Sequence, residues 1–220
     1  MKRSLDSILG SSLVATDGQV GKVYNVFFND RSWAIRYLVA EAGSWFRRRK
    51  VLISPAEIGE PDWNQRAIPL KLTREQVRNS PGVNADRPVS RQQQLAMIRH
   101  YCWGDCLTME PSVPPIGWSS PDVPFPTQEE EEDQHLRSAK EVAGYQAIGP
   151  GGALGCVTDF IIDDREWTIP DLVVKPEAPV PAGEVLLPTR WVSSVSWQDR
   201  QVELSAPIVE GAALGVTQRA

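Results

Sequence analysis

Residues 30–40 read DRSWAIRYLVA, and residues 164–174 read DREWTIPDLVV. One phrase is written twice, 134 positions apart. Extending that register without a gap, from Arg3/Arg137 to Leu70/Leu204, gives 17 identities in 68 positions. Gly10, Gly18 and Gly21 fall on Gly144, Gly152 and Gly155. Trp33 and Trp63 fall on Trp167 and Trp197, and Val51-Leu52 falls on Val185-Leu186. A long ungapped register of this kind signals a repeat architecture. Two copies alone mean a duplicated small domain and not a solenoid.

Each copy reads as a run of short strands. In DGQVGKVYNVFFND, a glycine turn precedes a strand. Strict alternation places Val20, Lys22, Tyr24, Val26 and Phe28 on one face and Val23, Asn25 and Phe27 on the other. Asp30-Arg31 makes a tight turn. WAIRYLVAEA follows as a second strand rich in β-branched and aromatic residues. KVLIS, closed by Pro55, is a third, and SLVAT and RAIPLKL add two more. TREQVRNS, residues 73–80, has helix character with Thr73 as its N-cap. Five or six short strands in about 70 residues predict a small antiparallel barrel. The expected fold is mainly β. Two such barrels, over 1–80 and 136–215, pack in a pseudo-two-fold arrangement, a pseudo-dimer within one chain. The four paired tryptophans are expected inside.

Residues 81–135 are not repeated. PVSRQQQLAMIRHYCWGDC predicts an amphipathic helix with Leu95, Ile98 and Cys102 near one face. The following stretch, rich in proline and ending in EEEED, predicts an extended acidic linker. Trp103, Trp118 and Phe125 pin it onto a barrel. Charge divides along the same boundaries. Residues 1–80 carry 13 Lys/Arg against 8 Asp/Glu, and residues 81–135 carry 3 against 9. The net charge of -5 therefore hides a basic first third. A basic segment of this kind points to an acidic surface, in a partner or in the chain itself.

The run G-x-V-x, then Asn25 or Asp159, three apolar residues, Asn29 or Asp163, Asp-Arg-x-Trp-x-Ile-x-x-Leu-Val, and after a loop Val-Leu-Ile-Ser-Pro, resembles the PRC-barrel domain. That domain is named after the photosynthetic reaction centre H subunit. It also occurs at the end of a bacterial ribosome-maturation protein and in stand-alone bacterial proteins. The resemblance covers residues 3–80 well and 137–210 in a more degenerate form. It implies a β-barrel adaptor that binds another protein and is not an enzyme. Unlike the H subunit, this chain has no apolar run approaching the roughly 20 residues of a membrane helix.

The chemical candidates are few. His100, Cys102 and Cys106 are spaced more loosely than the Cys and His pairs of structural zinc sites, so no metal or other cofactor is expected. Asp163-Asp164 falls in a strand-to-strand turn, where Asp is expected for its own hydrogen bonds. GPGGALG lacks the Lys-Ser/Thr of a phosphate loop and leads into a strand, so it reads as a hairpin turn. Three cysteines without a secretion signal point to reduced thiols in a cytoplasmic protein. The two copies differ most after the second strand. Copy one has AGSWFRRRK where copy two has PEAPVPAGE. Trp45, Phe46, Arg47, Arg48, Arg49 and Lys50 are therefore the candidate binding residues. The expected role is adaptor or scaffold for another protein. The competing role is anionic-ligand binding, to nucleic acid or a membrane surface, through residues 44–50, with cations on phosphates and aromatics stacking or inserting.

Overall fold

The computed structural model describes residues 1–42, 49–80, 135–177 and 183–205. The predicted helix and linker of 81–134 lie outside them, as do Trp45 to Arg48 and the His100, Cys102 and Cys106 group. In chain order the elements begin with β1 (Lys2–Ser4), α1 (Leu5–Ile8), β2 (Ser12–Ala15), β3 (Gly18–Asn29), β4 (Ile35–Ala42) and β5 (Arg49–Ile53). β6 (Ala67–Pro69) and α2 (Arg74–Asn79) complete the first copy. The second copy holds β7 (Leu136–Ser138), α3 (Ala139–Val142), β8 (Gln146–Gly149), β9 (Gly152–Asp163) and β10 (Thr168–Pro176). It ends with β11 (Val185–Pro188), β12 (Val192–Ser196) and β13 (Gln201–Leu204).

The fold is mainly β, in two sheets. One runs β5-β4-β3-β2-β6, with β7 also on β3; the other runs β11-β10-β9-β8-β13-β12, with β1 also on β9. Pairing among the described residues follows an open order in each sheet. The strands at the two ends of the second sheet, β11 and β12, are joined by one 3-10 turn, Thr189–Trp191. α2 forms where expected: Thr73 and Gln76 make a capping box, and Val77 is fully buried. Those reciprocal bonds satisfy two amide donors at the helix start.

The short N-terminal strands are exchanged. β1, from copy one, pairs with β9, matching Arg3 with Ile162. β7, from copy two, pairs with β3, matching Arg137 with Phe28. These pairs differ by 134 at both members. Side-chain bonds repeat the pattern. The Arg137 Nε lies 2.8 Å from Asp30, and the Arg3 Nε donates to Asp164 at 3.3 Å. Asn25 donates to Ser138 at 2.8 Å, and Ser4 donates to Asp159. Such buried and half-buried polar groups are costly unless paired, and here each partner comes from the other copy.

β-bulges overturn the simple alternation expected for β3. Leu13 pairs with Gly21 but Val14 pairs with Gln19, leaving Val20 as an extra residue. Val23 pairs with Ala40 and Asn25 with Val39, leaving Tyr24 extra. Each bulge shifts the side-chain period by one. Val20 and Val23 are therefore both buried, although three apart. β9 carries the same bulge at Thr158, between the Val173–Asp159 and Val174–Val157 pairs. A close approach fixes Gly155 and Gly21 beside these bulges. A Cβ on Gly155 would stand 2.1 Å from the Lys175 carbonyl oxygen, and one on Gly21 would stand 2.3 Å from that of Glu41.

One apolar core links both copies. Phe28 stacks on Trp33 with centroids 5.1 Å apart and tilts against Phe160 of the other copy at 5.7 Å. Trp33 and Trp167 are 7% and 8% exposed, as expected of core rings. Trp63 is only half-buried: its indole donates to Asp164 at 2.7 Å and its ring faces the Arg3 guanidinium at 4.6 Å. Trp197 corrects the expectation of burial, being 55% exposed with its indole bonded to Glu141. Copy two has no cation stacked on this ring among the described contacts. The Cys156 thiol is free and exposed on β9.

Candidate functional site

β5 forms because Val51, Leu52 and Ile53 are fully buried and pair with Ala40, Val39 and Leu38. That pairing places the last two residues of the basic segment at the start of the strand. Arg49 opposes Ala42, and Lys50 opposes Glu41. Their roles diverge. The Arg49 guanidinium donates to the carbonyls of Arg78 and Ser80, at 3.0 and 3.1 Å. These lie at the C-terminus of α2, where carbonyls lack helical partners and a cation is favoured. Arg49 therefore ties the segment to the fold.

Lys50 turns to Tyr24, the bulged residue of β3. Its ammonium lies 4.0 Å from the ring centroid, and that of Lys140, from α3 of the other copy, lies 3.8 Å from it. A cation over an aromatic face is attracted by the ring quadrupole, by about 0.5–1 kcal/mol at exposed sites. Bulges re-aim side chains, and this one presents Tyr24 between two cations.

The corresponding bulge on β9 presents Thr158. Its hydroxyl donates to Glu184 at 3.2 Å and to the Val173 carbonyl at 3.3 Å. An open cleft of 390 Å³ lies beside it. Leu5 and Phe160 form its buried apolar lining, with Leu9 and Ala143 half-buried. Asp6, Lys140, Thr158 and Glu184 bring exposed polar groups to the same cleft. Asp159 lies at its base, buried, and accepts from the Ser4 hydroxyl and the amides of Asp6 and Phe160. Lys140 both borders the cleft and covers Tyr24, so the two bulge sites adjoin across α1 and α3.

Sequence reasoning missed Tyr24, Lys140, Asp6, Thr158 and Glu184 as a group. Strict alternation places Tyr24 on a strand face, and the others carry no local motif. The signal that finds them is the copy-to-copy comparison carried beyond the longest differing loop to single positions.

Titration is perturbed elsewhere. Burial, with the Glu141 carboxylate nearby, pushes the Tyr145 hydroxyl up to about 12. Burial opposes ionisation of Asp164, yet hydrogen bonds from the Met1 ammonium, Trp63 and Arg3 hold its carboxyl below the ordinary value. The Met1 ammonium is correspondingly raised by its bonds to Asp164 and Asp163. Among the described residues no group of three His, Cys, Asp or Glu is placed to hold a metal ion. Among the same residues, no helix is long and apolar enough to cross a membrane. No protein-family model matches the chain, and no curated protein matches it.

Proposed function

We propose that the chain is a tandem PRC-type adaptor, non-catalytic and cytoplasmic, whose two curled sheets are barrel-like units in a pseudo-two-fold arrangement. Its partner is another protein, in a role akin to reaction-centre or ribosome assembly. The observation that carries this reading is the exchange of β1 and β7 at matching registers, which interlocks the two copies. Interlocking turns a repeat into a single scaffold with surface contributed by both halves. Support for the barrel comes from β11 and β12, which end opposite sides of one sheet order yet are separated by three residues. A twisted sheet must curl for its ends to be joined so closely. The partner reading is tested by co-purification from a native lysate with the whole chain as bait. A specific, saturable protein partner is expected, and recovery of none would overturn the reading.

The competing reading, anionic-ligand binding through residues 44–50, draws on the convergence of Lys50 and Lys140 at Tyr24. Arg49 contributes less to it, because its guanidinium serves α2. Binding to a phosphate polymer should weaken steeply with salt if this reading holds. Salt-independent retention of a protein partner favours the adaptor.

A further inference from the structure

Trp63 and Trp197 hold equivalent positions, yet the described contacts give a cation to only one of them. The Trp63 indole donates to an Asp164 carboxylate oxygen at 2.7 Å, and the Arg3 guanidinium lies 4.6 Å from its ring centroid. The Arg3 Nε donates to that same oxygen at 3.3 Å. Ring, carboxylate and guanidinium make one closed set. In copy two the set is broken. Asp30, the counterpart of Asp164, lies 2.9 Å from the His135 Nδ1 and 2.8 Å from the Arg137 Nε. The Trp197 indole goes elsewhere and donates to Glu141 of α3 at 2.5 Å, with Trp197 left 55% exposed. Two of the three members of the Trp63 set are thus rebuilt, a ring and a carboxylate at its N–H edge. Among the described residues no guanidinium completes it. Arg200 shares the Trp197 turn, but its guanidinium lies over Tyr145, 5.9 Å from that centroid. Its counterpart Arg66 bonds the Ser7 and Leu9 carbonyls at 3.3 and 2.8 Å and leaves Arg3 its place on Trp63. Asp199, in the same turn, bonds Ser196 at 2.7 Å.

We infer that Trp197 and Glu141 receive an arginine side chain of a partner protein. The inference rests on the adaptor reading for the source of that arginine. A guanidinium is flat, stacks on an indole face and reaches a carboxylate with its N–H fork. Arg3 makes both contacts at once on Trp63, so the chain carries its own template of the filled site. A lysine ammonium lacks the flat face and holds its water more strongly. Tryptophan and arginine are also the side chains most enriched where interfaces concentrate their binding energy.

The test is an NMR titration of the isotope-labelled whole chain with the peptide acetyl-Ala-Arg-Ala-amide, following the indole N–H resonances. Trp197→Leu identifies the Trp197 resonance by its loss. That resonance should shift progressively with peptide, while the Trp63 resonance, already covered by Arg3, should stay in place. The same peptide with citrulline for arginine, neutral and nearly the same shape, should shift Trp197 several-fold less. Glu141→Gln keeps an acceptor for the indole but loses the charge, and should weaken the arginine response by about fivefold with its melting temperature kept. A Trp197 resonance that does not move, equal shifts with arginine and citrulline, equal shifts at Trp63 and Trp197, or a Glu141→Gln response equal to the wild type would overturn the inference. Native co-purification separates it from the adaptor reading. A partner recovered without any arginine response sinks this inference alone. An arginine response with no native partner sinks the adaptor reading and leaves the receptor chemistry standing.

Discussion

Trp33 and Trp167 hold each other's strands. The Trp33 carbonyl accepts from the Ile169 amide at 2.8 Å, and the Trp167 carbonyl accepts from the Ile35 amide at 2.7 Å. Both residues adopt left-handed backbone, with φ of 57° and 51°. Such a conformation is costly for a bulky residue and persists where surroundings over-determine it. Here buried rings and two inter-copy hydrogen bonds do so.

Trp33→Ala or Trp167→Ala should therefore destabilise the protein by roughly 3–5 kcal/mol, the usual range for a buried aromatic truncated in a core. Trp197→Ala, at an exposed position, should stay within about 0.5 kcal/mol. Denaturant midpoints compared across the three variants check the contrast. Equal losses at all three would contradict the burial pattern.

Arg49→Ala should lower stability by about 1 kcal/mol, because two terminal carbonyls of α2 lose a charged donor. The melting temperature reads this directly. An unchanged melting temperature would return Arg49 to the pool of residues available for a partner.

Gly155→Ala and Gly21→Ala should each destabilise the protein, whereas glycine replacement at a compatible site usually stabilises by about 0.4–1 kcal/mol. Any Cβ meets backbone carbonyl oxygen, and no side-chain movement relieves that contact. Gly151→Ala is the control, since nothing lies within 4 Å of its Cβ position. Gly151→Ala should be neutral or stabilising, and a loss there as large as at Gly155 would show that the close approach does not set the cost.

Two limbs of the pH–stability curve have named sources. Tyr145 is raised to about 12, so its contribution is complete below the unfolded value near ~10 and declines as pH rises through about 12. Tyr145→Phe should flatten that alkaline limb. Asp164 is lowered, so its contribution is present above the unfolded carboxyl value near ~3.9 and is lost as pH falls through the folded value. Asp164→Asn should flatten the acid limb. Urea titrations across pH, with each variant beside the wild type, decide both.

Much of the fold was legible because the repeat doubled every local signal. The strands of SLVAT, WAIRYLVAEA, KVLIS and RAIPLKL and the Thr73-capped helix stand where composition and turn residues put them. The strand exchange was not legible. Arg3-Ser4 and Arg137-Ser138 look alike, so local sequence says where each short strand lies but not which copy receives it. Strict alternation failed at Val20 and Tyr24 because a bulge leaves no mark of its own in an apolar run. Trp197 kept its place in the register but not its burial. Its counterpart Trp63 is held by Arg3 and Asp164, a pairing that depends on tertiary contact. For the candidate site, Arg49 and Lys50 were found from charge alone. Their divergent roles depend on α2 and Tyr24, which sequence spacing does not bring together.

The exchanged strands also impose an order in time. Lys2–Ser4 leave the ribosome well before their partners, Ile161 to Asp163. At ~5–20 residues per second, the wait is on the order of 10–30 s. Over that interval the first sheet also lacks β7 along Phe27–Asn29. A nascent chain thus carries an unpaired strand and an unfilled edge together. Each suits the other's counterpart on a neighbouring nascent chain, so crowded translation of one message is where this protein is most exposed to joining the wrong copy.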